Sequence, residues 1–280
     1  MVNRSGTPAS PEASLTSPRM AVFDEHVRAV AEYVATAQEE GISVRRFAAP
    51  SSLRDVAGGL PVRVGAGANP GIILRSDTFV ELGSPVAGSC ALVLWTDAPA
   101  LLADGRITLI GPDIPEAPHA SLPFGQIVMV GGTALGTEEC LSLGQAQVVA
   151  DQIEGYMVRS ASRQLWSRVS KDAAGRGFRF ETLGRALMML FKSSVAKIEA
   201  MEVVFVTSGN ADVLRLNEIA TPVHERQREM IKEHWKARGY DLDCDLHCGS
   251  CQDKSVCEDV QKMLAARLRK AKDTAHVRVP

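Results

Sequence analysis

The chain has 280 residues, a net charge of −2, 45% hydrophobic residues and 23% charged residues. That is enough apolar material for one large core or two modest ones. The near-zero net charge gives no global pull toward nucleic acid or an anionic membrane, and no stretch reaches the ~20 apolar residues of a membrane helix.

Residues 1–19 are rich in Ser, Pro, Thr and Ala, which predicts a disordered leader. Val22, Val27, Val30, Tyr33 and Val34 recur at helical spacing and predict a helix over 20–40, stopped by Gly41. Residues 20–59 thus read as a helix and a connector. The Gly-rich stretch at 64–71 lacks the Lys-Ser/Thr of a P-loop and the full dinucleotide fingerprint, so an ordinary loop is expected. Short β-rich runs follow at 72–74, 78–82, 91–95, 107–110 and 125–130, separated by Gly, Pro and Asp. A helix is expected over 138–158, a strand at 165–169, a turn or short helix at 173–177 and a helix over 183–191. The continuous apolar run at 203–206 reads as a buried strand. A helix begins at 211, and a charged one continues over 221–238 after a break at Pro222. A basic amphipathic helix is expected over 258–271. Strands mixed with helices predict an α/β or α+β domain over 60–240, a mixed sheet flanked by helices, with a four-cysteine module at 241–280.

Four of the six cysteines fall together, at Cys244, Cys248, Cys251 and Cys257. Their spacing is C-x3-C-x2-C-x5-C. Thiolates this close in sequence converge on one centre at little closure cost. Both tetrahedral zinc and an iron–sulfur cube accept four thiolates. Structural zinc sites usually come as two separated C-x2-C pairs, whereas here all four ligands share one short loop, which favours a [4Fe–4S] cluster. Gly249 allows close backbone approach. Cys257 opens the last predicted helix, whose N-terminus favours negative charge. Zinc remains the alternative metal, with a disulfide or plain thiols third. His247 reads as a solvated neighbour. Cys90 and Cys140 are expected as buried thiols. With no signal-peptide pattern visible, a reducing cytoplasm is expected. His26, His119, His224 and His234 do not share metal-ligand spacing, and no G-x-S-x-G elbow occurs.

A series of segments follows one order: L-G-S-P at 82–85, D-G-R-I-T-L-I-G-P-D-I at 104–114, L-P-F-G-Q-I-V at 122–128, I-E-G-Y-M at 153–157 and L-W-S-R-V-S-K-D-A-A-G-R-G-F at 165–178. E-A-M-E-V-V-F-V-T at 199–207 and H-E-R-Q-R at 224–228 continue it. Over about 60–257 the chain resembles the middle region of the acetyl-CoA synthase (beta) subunit of the carbon monoxide dehydrogenase/acetyl-CoA synthase complex. In that family a four-iron cube is bridged by a cysteine to a dinickel site held partly by Cys-Gly-Cys. This sequence has Cys-Gly-Ser-Cys at 248–251 and no Cys-Gly-Cys. Cys248 and Cys251 match the family's first C-x2-C, Cys257 arrives early, and Cys244 lacks a clear counterpart. The resemblance therefore implies a cluster without nickel chemistry, in a chain not expected to be a complete acetyl-CoA synthase alone. It further implies that Trp166 and Arg168, with Arg159 and Arg163 nearby, border a coenzyme A site. Arg176 and Arg179 lie close to them in sequence. Arg forks suit phosphate oxygens and Trp suits adenine. The expected role is electron transfer or accessory work, with protein partners in a larger redox complex of one-carbon, corrinoid or acyl-CoA metabolism. The competing readings are a non-redox interaction subunit with structural zinc and an acyl-CoA-binding enzyme.

Overall fold

The structure is a computed structural model that describes residues 23–50, 59–65, 67–68, 71–84, 86–146, 152–161 and 164–237. The expected leader, the four cysteines and the helix at 258–271 lie outside the described residues.

Helix α1 (Asp24–Glu39) carries two acids in its first turn, where the helix dipole favours them. It buries Val27, Val30, Tyr33, Val34 and Ala37 along one stripe. Gly41, at φ 79°, turns the chain out of it. Strand β1 (Val44–Ala48) follows and pairs antiparallel with β4 (Arg106–Ile110). Sequence patterning missed β1 because it is an edge strand with Arg45 and Arg46 at its centre. Charge there discourages further pairing and masks the apolar signal.

Five strands form the larger sheet, in the order β1-β4-β9-β6-β3. Strands β3 (Ser89–Thr96), β6 (Phe124–Gly131) and β9 (Ala200–Val206) are almost wholly buried, which explains their continuous apolar runs. The β4–β9 and β6–β3 pairs are parallel, and β9–β6 is antiparallel. Helix α4 (Phe180–Ser194) packs on one face, where Phe180 meets Phe124 and Phe205. The rows Leu94–Met129–Glu202–Arg106 and Leu92–Ile127–Val204–Thr108–Arg46 face the other way, toward α1.

The smaller sheet has the order β5-β2-β8-β7, built from β5 (Ser121–Leu122), β2 (Thr78–Leu82), β8 (Gln164–Ser170) and β7 (Tyr156–Ala161). Its inner face, with Val80, Leu82, Tyr156, Leu165 and Val169, joins the same hydrophobic core. A short helix α3 (Lys171–Gly175) follows β8, capped by Ser170 Oγ accepting from the Ala173 amide.

Three expectations change. Residues 72–74 are not a strand among the described residues; Ile72 and Leu74 are 77% and 59% exposed while Ile73 is buried. They alternate like a strand but have no ladder partner. The helix predicted over 138–158 ends early, as α2 (Thr137–Ala146), and residues 156–158 belong to β7. Tyr156 and Val158 are two apart, so they fit the period of a strand, and burial beneath the sheet decides the outcome. The predicted break at Pro222 does not occur: α5 (Asn210–Ala237) runs through it for 28 residues. An interior proline costs about 3 kcal/mol. Burial of Val213, Leu216, Ala220 and Val223 offsets it, at about 1.5–3 kcal/mol per large side chain.

Helix α5 also protects the open edge of β3. Gln227 Nε2 donates to the Val93 carbonyl, and the Phe23 amide donates to the Trp95 carbonyl. Both groups would otherwise be a template for unwanted pairing. At the helix start, Arg215 pairs with Glu40 and Asp212, tying α5 to the end of α1.

Candidate functional site

The outer face of the smaller sheet carries the residues expected to matter. Side chains alternate along β8, so Leu165, Ser167 and Val169 point inward while Trp166 and Arg168 share the outer face. Arg168 stands opposite Glu81 of β2 and Met157 of β7, and Trp166 stands opposite position 159. The backbone register sets position 159 across from Trp166, while Trp166 and Arg168 share one patch. Arg163 lies outside the described residues. Arg176 belongs elsewhere: it closes α3 and pairs with Glu154 and Asp172. Arg179 precedes α4 at its N-cap.

Within the patch, Trp166 Nε1–H donates to Glu81 Oε1 at 2.5 Å. The Arg168 guanidinium lies 4.6 Å from the Trp166 ring centroid, a cation–π distance. Its Nη1 donates to the Ile73 carbonyl at 3.2 Å. Its Nε faces Glu81 Oε2 at 3.7 Å, which is an ion pair but too long for a hydrogen bond. That Nε is buried and makes no hydrogen bond among the described residues. The side chain of Arg168 is only 17% exposed, so its charge is screened weakly. The exposed apolar side chains of Ile72 and Leu74 flank the carbonyl that Arg168 holds.

Glu81 was missed from the sequence. Its only signal was a lone charge in T-F-V-E-L at 78–82, placed by alternation on the face away from Val80 and Leu82. Its partners lie more than 80 positions away, so nothing local revealed them.

Cys90 and Cys140 are buried thiols outside any disulfide, as expected. Burial pushes both up to about 12, which keeps them protonated near neutral pH. Among the described residues no group of three or more His, Cys, Asp or Glu side chains could hold a metal ion. No described helix is long and apolar enough to cross a membrane.

Two mixed sheets flanked by helices, with an acid–indole–guanidinium cluster on the smaller one, define a mixed α/β protein with a candidate anion-facing patch. Residues 60–212 match the family of the CO dehydrogenase/acetyl-CoA synthase complex beta subunit, and the chain belongs to that family. It is 32% identical over 190 residues to the acetyl-CoA decarbonylase/synthase complex subunit beta 1 of Methanosarcina thermophila, covering 64% of this chain and 38% of that protein. It is 29% identical over 183 residues to the corresponding beta subunit of Archaeoglobus fulgidus, covering 64% and 34%. The beta subunit of Methanothermobacter thermautotrophicus is 32% identical over 186 residues. The matches span little more than a third of these relatives' length.

Proposed function

We propose that this chain is an iron–sulfur accessory subunit, related to the acetyl-CoA synthase beta subunit but without its nickel site. It works with protein partners in one-carbon, corrinoid or acyl-CoA metabolism. The observation that supports this reading most is the donor set. Cys244, Cys248, Cys251 and Cys257 supply four soft thiolates within one short stretch of a family member that has no Cys-Gly-Cys. Four thiolates fit a [4Fe–4S] cube, and the two other cysteines are protonated and buried elsewhere. When bound, such a cube supplies one-electron transfer. The relatives are named as subunits of a complex, which supports partners for this chain too.

Coenzyme A is the proposed ligand of the Trp166–Arg168 patch. The partly exposed guanidinium of Arg168 supports an anionic group there, and Ile72 and Leu74 offer apolar surface to the rest of the molecule. Arg159 and Arg163 are proposed to add charge to the same ligand.

Anaerobic purification tests the cluster. The expected product is brown, with four iron and four sulfide per chain and absorption near ~400 nm that bleaches on reduction. Cys251→Ala should lose most of the iron. A colourless protein with stoichiometric zinc would replace this reading with a structural zinc site.

A further inference from the structure

A cleft of about 270 Å³ lies between α1 and the larger sheet. At about 30 Å³ per water it has room for roughly nine waters. More than half of its wall comes from α1 and β1, which precede the family-matched residues 60–212. It is remote from the Trp166 patch, with which it shares no residue.

The cleft exists because the sheet face under α1 changes character. Toward β3 and β6 that face is apolar and well filled. Toward β4 and β9 it presents Arg106, Thr108 and Glu202 instead. Over that end α1 offers the small Ala31 and Ala35 beside Val27, Val30, Val34 and Gln38. Small residues over polar ones leave space.

The polar groups are not mutually exhausted. Arg106 gives Nε and Nη2 to Glu202, at 2.8 and 3.0 Å, which leaves its Nη1. Arg46 gives only Nη2 to Gln38, at 3.0 Å. Thr108 is 1% exposed and lines the cleft, so its hydroxyl lies beside the two guanidinium groups. Among the described residues Glu202 is the one lining carboxylate, and Arg106 already neutralises it. The remaining charge is positive, at one end of a wall made of Val30, Val34 and Met129.

We propose that this cleft binds a small amphipathic monoanion: a carboxylate head held by Arg46, Arg106 Nη1 and the Thr108 hydroxyl, with a short hydrocarbon chain against α1 and Met129. The head gains charge-assisted hydrogen bonds from guanidinium groups whose contacts with Gln38 and Glu202 leave further N–H groups to give. The tail buries apolar surface that α1 alone does not cover. The mixture of an apolar wall and a few convergent donors is that of a small-molecule site.

Calorimetry on the full chain, purified anaerobically, tests the proposal with hexanoate as probe and 1-hexanol as its uncharged control. Hexanoate should bind saturably at one site, at least ten times more tightly than hexanol. Arg46 is exposed, so Arg46→Ala should fold normally and weaken binding about tenfold, the loss of one charged hydrogen bond. Thr108→Val should also weaken it. Ala35 lies at the exposed rim, so Ala35→Leu should occlude the cleft and abolish binding with an unchanged thermal midpoint. No saturable heat at millimolar hexanoate would overturn the proposal. Equal binding of hexanol, or full binding by Ala35→Leu, would overturn it as well. None of these results depends on the cysteines' metal.

Discussion

Removing one partner of the Arg106–Glu202 pair should give unequal losses. The carboxylate is 5% exposed and the guanidinium 41% exposed. Glu202 also accepts the Ala103 amide, at 3.1 Å. Arg106→Ala leaves a buried carboxylate with only that amide for compensation. Breaking a buried pair this way costs about 3–5 kcal/mol, and the surviving amide bond points to the low end, about 3 kcal/mol. Glu202→Ala removes the buried charge, and Arg106 turns into water it already touches. What remains is one unmet amide and lost packing, about 1–2 kcal/mol. Urea unfolding of both variants, with the metal state held constant, measures the difference. A reversed order, or equal losses, would refute the claim that burial of the carboxylate sets the energetics here.

Other expectations follow from single features. Gly83 sits at φ 68°, and an added Cβ would lie 2.2 Å from the Leu165 carbonyl oxygen. Gly83→Ala should therefore destabilise by roughly 2 kcal/mol or more and separate β2 from β8, read by urea midpoint and amide exchange. Arg168→Ala should weaken coenzyme A binding about ten- to a hundredfold, checked by calorimetry, and undiminished binding would remove Arg168 from the site. Glu40, held by Arg215, Glu116, held by Arg45, and Glu139, held by Lys197, all have carboxyls below their ordinary value of 4.5. A lowered folded value means that these groups stabilise the fold above about pH 4.5, and that the contribution disappears as pH falls through the lowered values. Chemical denaturation from pH 7 to pH 3 should show that loss, smaller at high salt because the pairs are exposed.

The central strands were readable because burial on both faces writes a continuous apolar run, as in M-E-V-V-F-V at 201–206. Helix α1 was readable from its stripe of valines. Strand β1 was not, since Val44 and Phe47 are divided by two arginines that face opposite sides of the sheet. Strand β7 was hidden inside an apolar stretch that fits either period. At the patch, Trp166 and Arg168 stood out as W-x-R, but Glu81 binds them from a strand distant in sequence. The cleft under α1 could not be foreseen: it follows from the meeting of two alanines with Thr108 and Glu202, whose juxtaposition only tertiary packing creates.

The unbroken course of α5 through Pro222 has a mechanical meaning for the cysteines. Twenty-eight residues at ~1.5 Å each make a rod of about 42 Å. The rod is bolted to the core through Val213, Leu216, Ala220, Val223 and Met230. Only seven positions separate its last residue, Ala237, from Cys244. Seven residues reach at most about 25 Å when fully extended. Whatever the cysteines hold is therefore leashed to one end of the rod. A ligand held by those cysteines and a partner docked against that end would share a small volume, which would raise their effective concentration for each other.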